Sequence, residues 1–72
     1  MRREMGSVYL SRTPRHAFTG RDQECTVTLL KLISNPVAYG EAEYYEVLLT
    51  LPDGSLKHIS SYRLLPNAKP IV

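Results

Sequence analysis

The stretch Tyr45-Glu46-Val47-Leu48-Leu49-Thr50-Leu51-Pro52-Asp53-Gly54-Ser55-Leu56-Lys57-His58-Ile59 decides the fold class. Proline at the second turn position pre-sets φ, aspartate bonds nearby backbone, and glycine takes the positive φ that a type I turn with a G1 bulge requires. Two apolar runs joined in this way make a tight hairpin. Before the turn, Tyr45, Val47, Leu49 and Leu51 recur at every second position, the period of a strand with one buried face. After it, Ser55 to Ser60 returns. A three-residue loop pairs Val47 with Ile59 and Leu48 with His58. A four-residue loop shifts the register by one and sets Leu56 opposite Leu51. A helical reading also runs through Tyr44, Val47, Leu48 and Leu51.

Upstream, Cys25-Thr26-Val27-Thr28-Leu29-Leu30-Lys31-Leu32-Ile33 is β-branched at its start and largely apolar, which favours a strand. Asn35-Pro36 ends it, and Val37 to Ala42 reads as a loop around Gly40. Simple alternation puts Leu30 and Leu32 on one face and Val27, Leu29 and Ile33 on the other. A strand that is apolar on both faces is either central or meets a partner. Downstream, Ser60-Ser61-Tyr62-Arg63 reads as one 3₁₀ turn with a serine cap. Leu64-Leu65-Pro66 is then a short last strand.

This order of strands, hairpin, turn and final strand resembles the C-terminal half of small SH3-like barrels, the group that includes SH3, Tudor and KOW-type domains. The likeness is carried by Tyr45-Glu46-Val47, Pro52-Asp53-Gly54-Ser55, His58-Ile59, Tyr62-Arg63-Leu64 and Pro66. It implies a fold and no particular activity. The chain has no tryptophan, so the likeness extends to the barrel and not to a polyproline-binding groove. The expected fold is all-β: a small SH3-like barrel of four or five short strands, with one 3₁₀ turn near Ser60 to Arg63. The expected organisation is a flexible basic N-terminal arm over 1–22, the barrel over 23–66, and a C-terminal tail over 67–72. Within the arm only Val8-Tyr9-Leu10 has strand character, and Val8, Leu10 or Phe18 is expected to dock it.

The chain has 72 residues and a net charge of +2. At about this length a domain buries only about 60% of the surface its unfolded chain exposes, so a modest core is expected. The charge is uneven. Residues 1–22 carry Arg2, Arg3, Arg12, Arg15 and Arg21 against Glu4 and Asp22, while acids outnumber bases in the remainder. Met1-Arg2-Arg3 is positive but no long apolar run follows it, so no secretory signal is expected. The longest apolar runs are too short for a helical membrane span. With one cysteine, Cys25, no internal disulfide forms and a cytoplasmic location is expected.

Two groups of residues are candidate contacts. Tyr39, Tyr44 and Tyr62, with Glu46 adding negative potential, are candidates for partner binding, and aromatic faces of this kind attract cations. Strand tyrosines are also ordinary barrel residues, which is the plainer account of them. Arg2, Arg3, Arg12, Arg15 and Arg21 are candidates for nucleic-acid binding through phosphates, with Tyr9 or Phe18 stacking on bases. A solvated tail accounts for them equally well. His16, His58 and Cys25 stand apart in sequence, so no metal, cofactor or catalytic residue is predicted. The expected function is a non-enzymatic protein-interaction module. It would self-associate, most simply as a homodimer, or bind a protein partner through an edge strand or the tyrosine-bearing loop. The alternative is nucleic-acid binding by the arm, and the third is an enzyme assembled at an oligomer interface. No membrane contact and no small-molecule substrate are expected.

Overall fold

The Pro52-Asp53-Gly54 loop joins two of the four strands in a computed structural model that describes residues 3–12, 14–34 and 43–71. The strands are β1 (Val8–Ser11), β2 (Cys25–Ser34), β3 (Glu43–Thr50) and β4 (Leu56–Leu64). They form one antiparallel sheet in the order β1-β2-β3-β4. The protein is all-β, and the described residues contain no helix.

The hairpin takes the register of the three-residue loop, with Val47 opposite Ile59 and Leu48 opposite His58. Leu51 N donates to Ser55 O at 2.8 Å and Gly54 N to Leu51 O at 2.9 Å. Gly54 has φ of 93°, a conformation that costs an L side chain free energy. Ser55 N donates to Asp53 Oδ1 at 2.8 Å. That bond favours the ionised carboxylate and holds Asp53 below its ordinary pKa.

Alternation places Tyr9, Cys25, Val27, Leu29, Tyr45, Val47, Leu49 and Leu64 in the core, with Leu32, Leu51, Ile59, Tyr62 and Ala68 packed against it. The register shifts on β2 between Leu29 and Lys31 and again between Leu32 and Ser34. Each shift adds one residue to β2 and turns the side chains after it. Leu32 therefore packs inward, while Leu30 and Ile33 are exposed. This corrects the two faces expected from uninterrupted alternation.

The expected 3₁₀ turn at Ser60 to Arg63 is also corrected, because those residues belong to β4. Ile59 pairs with Val47 and Tyr62 with Tyr45. Two strand-favouring side chains keep their partners on β3, and Ser60-Ser61 is absorbed as a bulge opposite Glu46. Leu64 ends β4, so Leu64-Leu65-Pro66 forms no separate strand.

The sheet rolls upon itself without closing into a barrel. Flat, β1 and β4 would lie about 14 Å apart, at roughly 4.8 Å per strand. Yet the Tyr62 hydroxyl on β4 donates to Ser11 Oγ on β1 at 3.0 Å. Bulges increase twist and bend a strand, which is the local source of this curvature.

Segments expected to lie outside the barrel, on either side of it in sequence, join the sheet. The arm expected over 1–22 gives way at Val8–Ser11, which pair with Cys25–Thr28. Docking runs through Tyr9, which is buried, and not through Leu10 or Phe18, which are exposed. In the expected tail, Ile71 N donates to Val8 O at 2.7 Å and Pro70 bridges Tyr9. The outer edge of β1 is thereby covered at Val8 and Tyr9, and Pro70 brings no donor of its own with which to extend the ladder.

Candidate interaction surface

The curvature and the bulges decide which candidate side chains meet. Tyr44 and Glu46 lie on the outer face of β3, alternating with buried Tyr45 and Val47. Tyr62 is the cross-strand partner of Tyr45 and turns toward the core. The sheet therefore separates Tyr62 from Tyr44. Tyr39 lies outside the described residues. Glu46 Oε2 is 2.8 Å from His58 Nε2 on the neighbouring strand, and Lys31 is its register partner on the other side. The negative potential assigned to Glu46 is thus flanked by basic side chains.

The arginines divide in a similar way. Arg2 lies outside the described residues. Arg12, Arg15 and Arg21 are exposed, with Arg15 Nε 3.3 Å from Asp22 Oδ1. Phe18 is 94% exposed, with its ring 6.0 Å from that of His16. Arg3 is different, for its side chain is only 10% exposed. Its Nε donates to Glu43 Oε1 at 2.8 Å, and its terminal nitrogens donate to Tyr9 Oη and to the carbonyls of Leu65, Pro66 and Ala68. Its guanidinium carbon lies 5.3 Å from the Tyr9 ring centre. Arg3 is committed to holding the two chain ends together and has no donor to spare for a phosphate. Burial works against its charge, but the bonds to Glu43 and Tyr9 outweigh it, and its pKa lies above the ordinary value. Charge counting cannot distinguish Arg3 from Arg12, because its partner Glu43 is forty residues away.

Tyr45 joins this polar cluster. Burial first, and then the charge of Glu43 and a hydrogen bond to it, push its pKa up to about 12. An unfolded tyrosine ionises near about 10. Above that pH the unfolded chain releases a proton that the folded chain keeps, so stability present below about pH 10 is lost as pH rises toward 12. Tyr45→Phe is expected to flatten the alkaline limb of a plot of melting temperature against pH. An unchanged slope in the variant would show that Tyr45 does not carry it.

The sheet edges are the remaining feature. The edge of β1 is covered, whereas β4 ends the sheet. Leu56, Lys57, His58, Ser60, Ser61 and Arg63 are all exposed along it, Leu56 by 61%. An edge strand presents a row of backbone donors and acceptors to any chain that lies beside it. Among the described residues, no group of three His, Cys, Asp or Glu side chains could hold a metal ion. No described helix is long and apolar enough to cross a membrane. No protein family, curated protein or solved structure matches the chain.

Proposed function

We propose that this chain is a non-enzymatic protein-interaction module whose contact surface is the outer edge of β4. The observation that supports this reading most directly is the asymmetry of the two sheet edges. Residues near the C-terminus cover β1, while β4 runs from Leu56 to Leu64 with no strand beside it among the described residues. Addition of a strand to such an edge gives affinity through main-chain bonds and specificity through alternate side chains. Ile59 and Tyr62, two of the inward members of β4, are only half-buried, and an added strand would cover them further. Cys25, free and buried, fits a reducing, cytoplasmic setting.

The test is titration of isotope-labelled protein by NMR with short extended peptides of differing charge, beside a single-stranded oligonucleotide and a dilution series. The expected result is a saturable shift of the amides from Leu56 to Leu64 with a peptide or with protein concentration. A response confined to the segment holding Arg12, Arg15 and Arg21, produced by the oligonucleotide and falling steeply with salt, would overturn the reading in favour of nucleic acid. Absence of any response to peptide or concentration would overturn it outright.

A further inference from the structure

We propose that the β4 edge takes an extended acidic strand from another protein in preference to a second copy of this chain. The inference rests on the reading of β4 as the contact edge and adds the chemistry of the occupant. Along Leu56-Lys57-His58-Ile59-Ser60-Ser61-Tyr62-Arg63-Leu64 the formal charges are Lys57 and Arg63, and no acid is present. Both side chains are exposed. The two acids across the ladder are both engaged, Glu46 by His58 at 2.8 Å and Glu43, opposite Leu64, by Arg3 at 2.8 Å.

Self-pairing is constrained by the bulge. Lys57, Ile59, Tyr62 and Leu64 follow the inner side of β4, being opposite or in phase with Leu49, Val47 and Tyr45. Leu56, His58 and Arg63 follow the outer side. Antiparallel pairing of two copies in one continuous sheet must match inner with inner and outer with outer. The register that does so across the bulge sets Ile59 against Tyr62, but it also sets Lys57 against Leu64 and His58 against Arg63. Each pairing occurs twice about the two-fold axis. Two lysines then face apolar partners, two arginines face histidines, and neither strand supplies an acid. Cations on an edge are a recognised means of keeping like edges apart.

A strand of opposite charge meets no such obstacle. Acidic side chains opposite Lys57 and Arg63 make favourable cross-strand pairs. Apolar side chains at its inward positions would cover the half-buried Ile59 and Tyr62. Because Lys57 lies on the inner side with Ile59 and Tyr62 while Arg63 lies on the outer side, the matching ligand is an extended segment with apolar residues opposite Ile59 and Tyr62 and an acid near either end, opposite Lys57 and Arg63.

Two capped peptides serve as probes, a valine-rich segment with glutamates near either end and the same segment with lysines in their place. A third repeats the glutamate peptide with N-methyl groups on alternate residues. The full chain is expected to bind the glutamate peptide about tenfold more tightly than the lysine peptide, the scale set by two cross-strand charge pairs. N-methylation is expected to abolish binding, since the ladder loses its donors. Lys57→Glu combined with Arg63→Glu, both at exposed positions, is expected to reverse the preference. Equal binding of both peptides, preference for lysine, or self-association through β4 would overturn the acidic specificity while leaving the interaction reading intact. No response of β4 to either peptide or to concentration would remove both. Binding that survives N-methylation would overturn strand addition.

Discussion

Leu29→Ala is expected to destabilise the fold by about 3 kcal/mol, within the range of about 2–5 kcal/mol typical of such truncations in a closed core. Leu29 is 1% exposed on β2, one of the two central strands. It faces Val47 across the β2–β3 ladder. Its backbone accepts from Gly6 N at 2.7 Å and donates to Ser7 O at 3.0 Å, so the chain entering β1 is fastened at the same residue. Neighbours that hold the sheet on both sides have little freedom to collapse into the space left by three carbons. A chain of 72 residues commands about 4–11 kcal/mol in all at typical values per residue. The low end applies here, because the sheet accounts for only part of the chain. Chemical denaturation is therefore expected to show a large fall in midpoint, with much of the variant unfolded in buffer. Leu30→Ala, at the next residue but on the exposed face of the bulge, is expected to change stability by no more than about 0.5 kcal/mol. Comparable losses at the two positions would mean that the bulge does not turn β2 as described.

That contrast between neighbours also marks how far the sequence could be read. The hairpin was legible because its information is local: Pro52, Asp53 and Gly54 specify the turn, while its register, open in the sequence between a three-residue and a four-residue loop, is decided by the pairing of Val47 with Ile59. Faces were legible from Cys25 to Leu29, where polar Thr26 and Thr28 alternate with apolar partners. From Leu30 to Ile33 almost every residue is apolar, so nothing in the pattern reports an inserted residue. Ser60-Ser61 misled for a related reason, since serine serves a helical cap and a bulge equally well. What decides between them is whether Ile59 and Tyr62 both find partners on β3. The strand character of Val8-Tyr9-Leu10 was legible, but the docking of β1 was not, because Tyr9 is placed by contacts with segments distant in sequence. The tyrosine grouping failed at Tyr62 on the same bulge, whose extra residue sets the phase of the last part of β4. The asymmetry of the sheet edges could not be foreseen, because it depends on the chain near Pro70 returning to β1.

Arg3→Ala is expected to cost about 2–3 kcal/mol, an unusual loss for a residue near a chain end. The side chain makes five hydrogen bonds to three separate parts of the chain: Tyr9 on β1, Glu43 at the start of β3, and the carbonyls of Leu65, Pro66 and Ala68 beyond β4. Bonds to a charged group contribute more than neutral ones, and removing one member leaves the others to bear the cost of burial. Glu43 is the member most affected, since its side chain is only 19% exposed and loses the guanidinium 2.8 Å away. Glu43→Gln alone removes the charge and is expected to cost less than Arg3→Ala. In the double variant the two losses are expected to fall short of additivity, because each single change already breaks the shared bond. Arg3→Lys is not expected to restore stability, since one ammonium cannot reproduce a planar fork that engages a carboxylate, a hydroxyl and three carbonyls together. Denaturant titrations of the parent and the four variants provide the measurement, and strict additivity would show that Arg3 and Glu43 act independently. The effect should also appear locally. Without Arg3 the segment 65–71 loses its anchor to β3, and amide exchange at Ile71, which donates to Val8, should quicken more than exchange in the hairpin. That pattern would uncover the edge of β1. The variant is thus expected to gain a second open sheet edge and to self-associate at concentrations where the parent chain does not, because Val8-Tyr9-Leu10-Ser11 carries no charge to keep two copies apart.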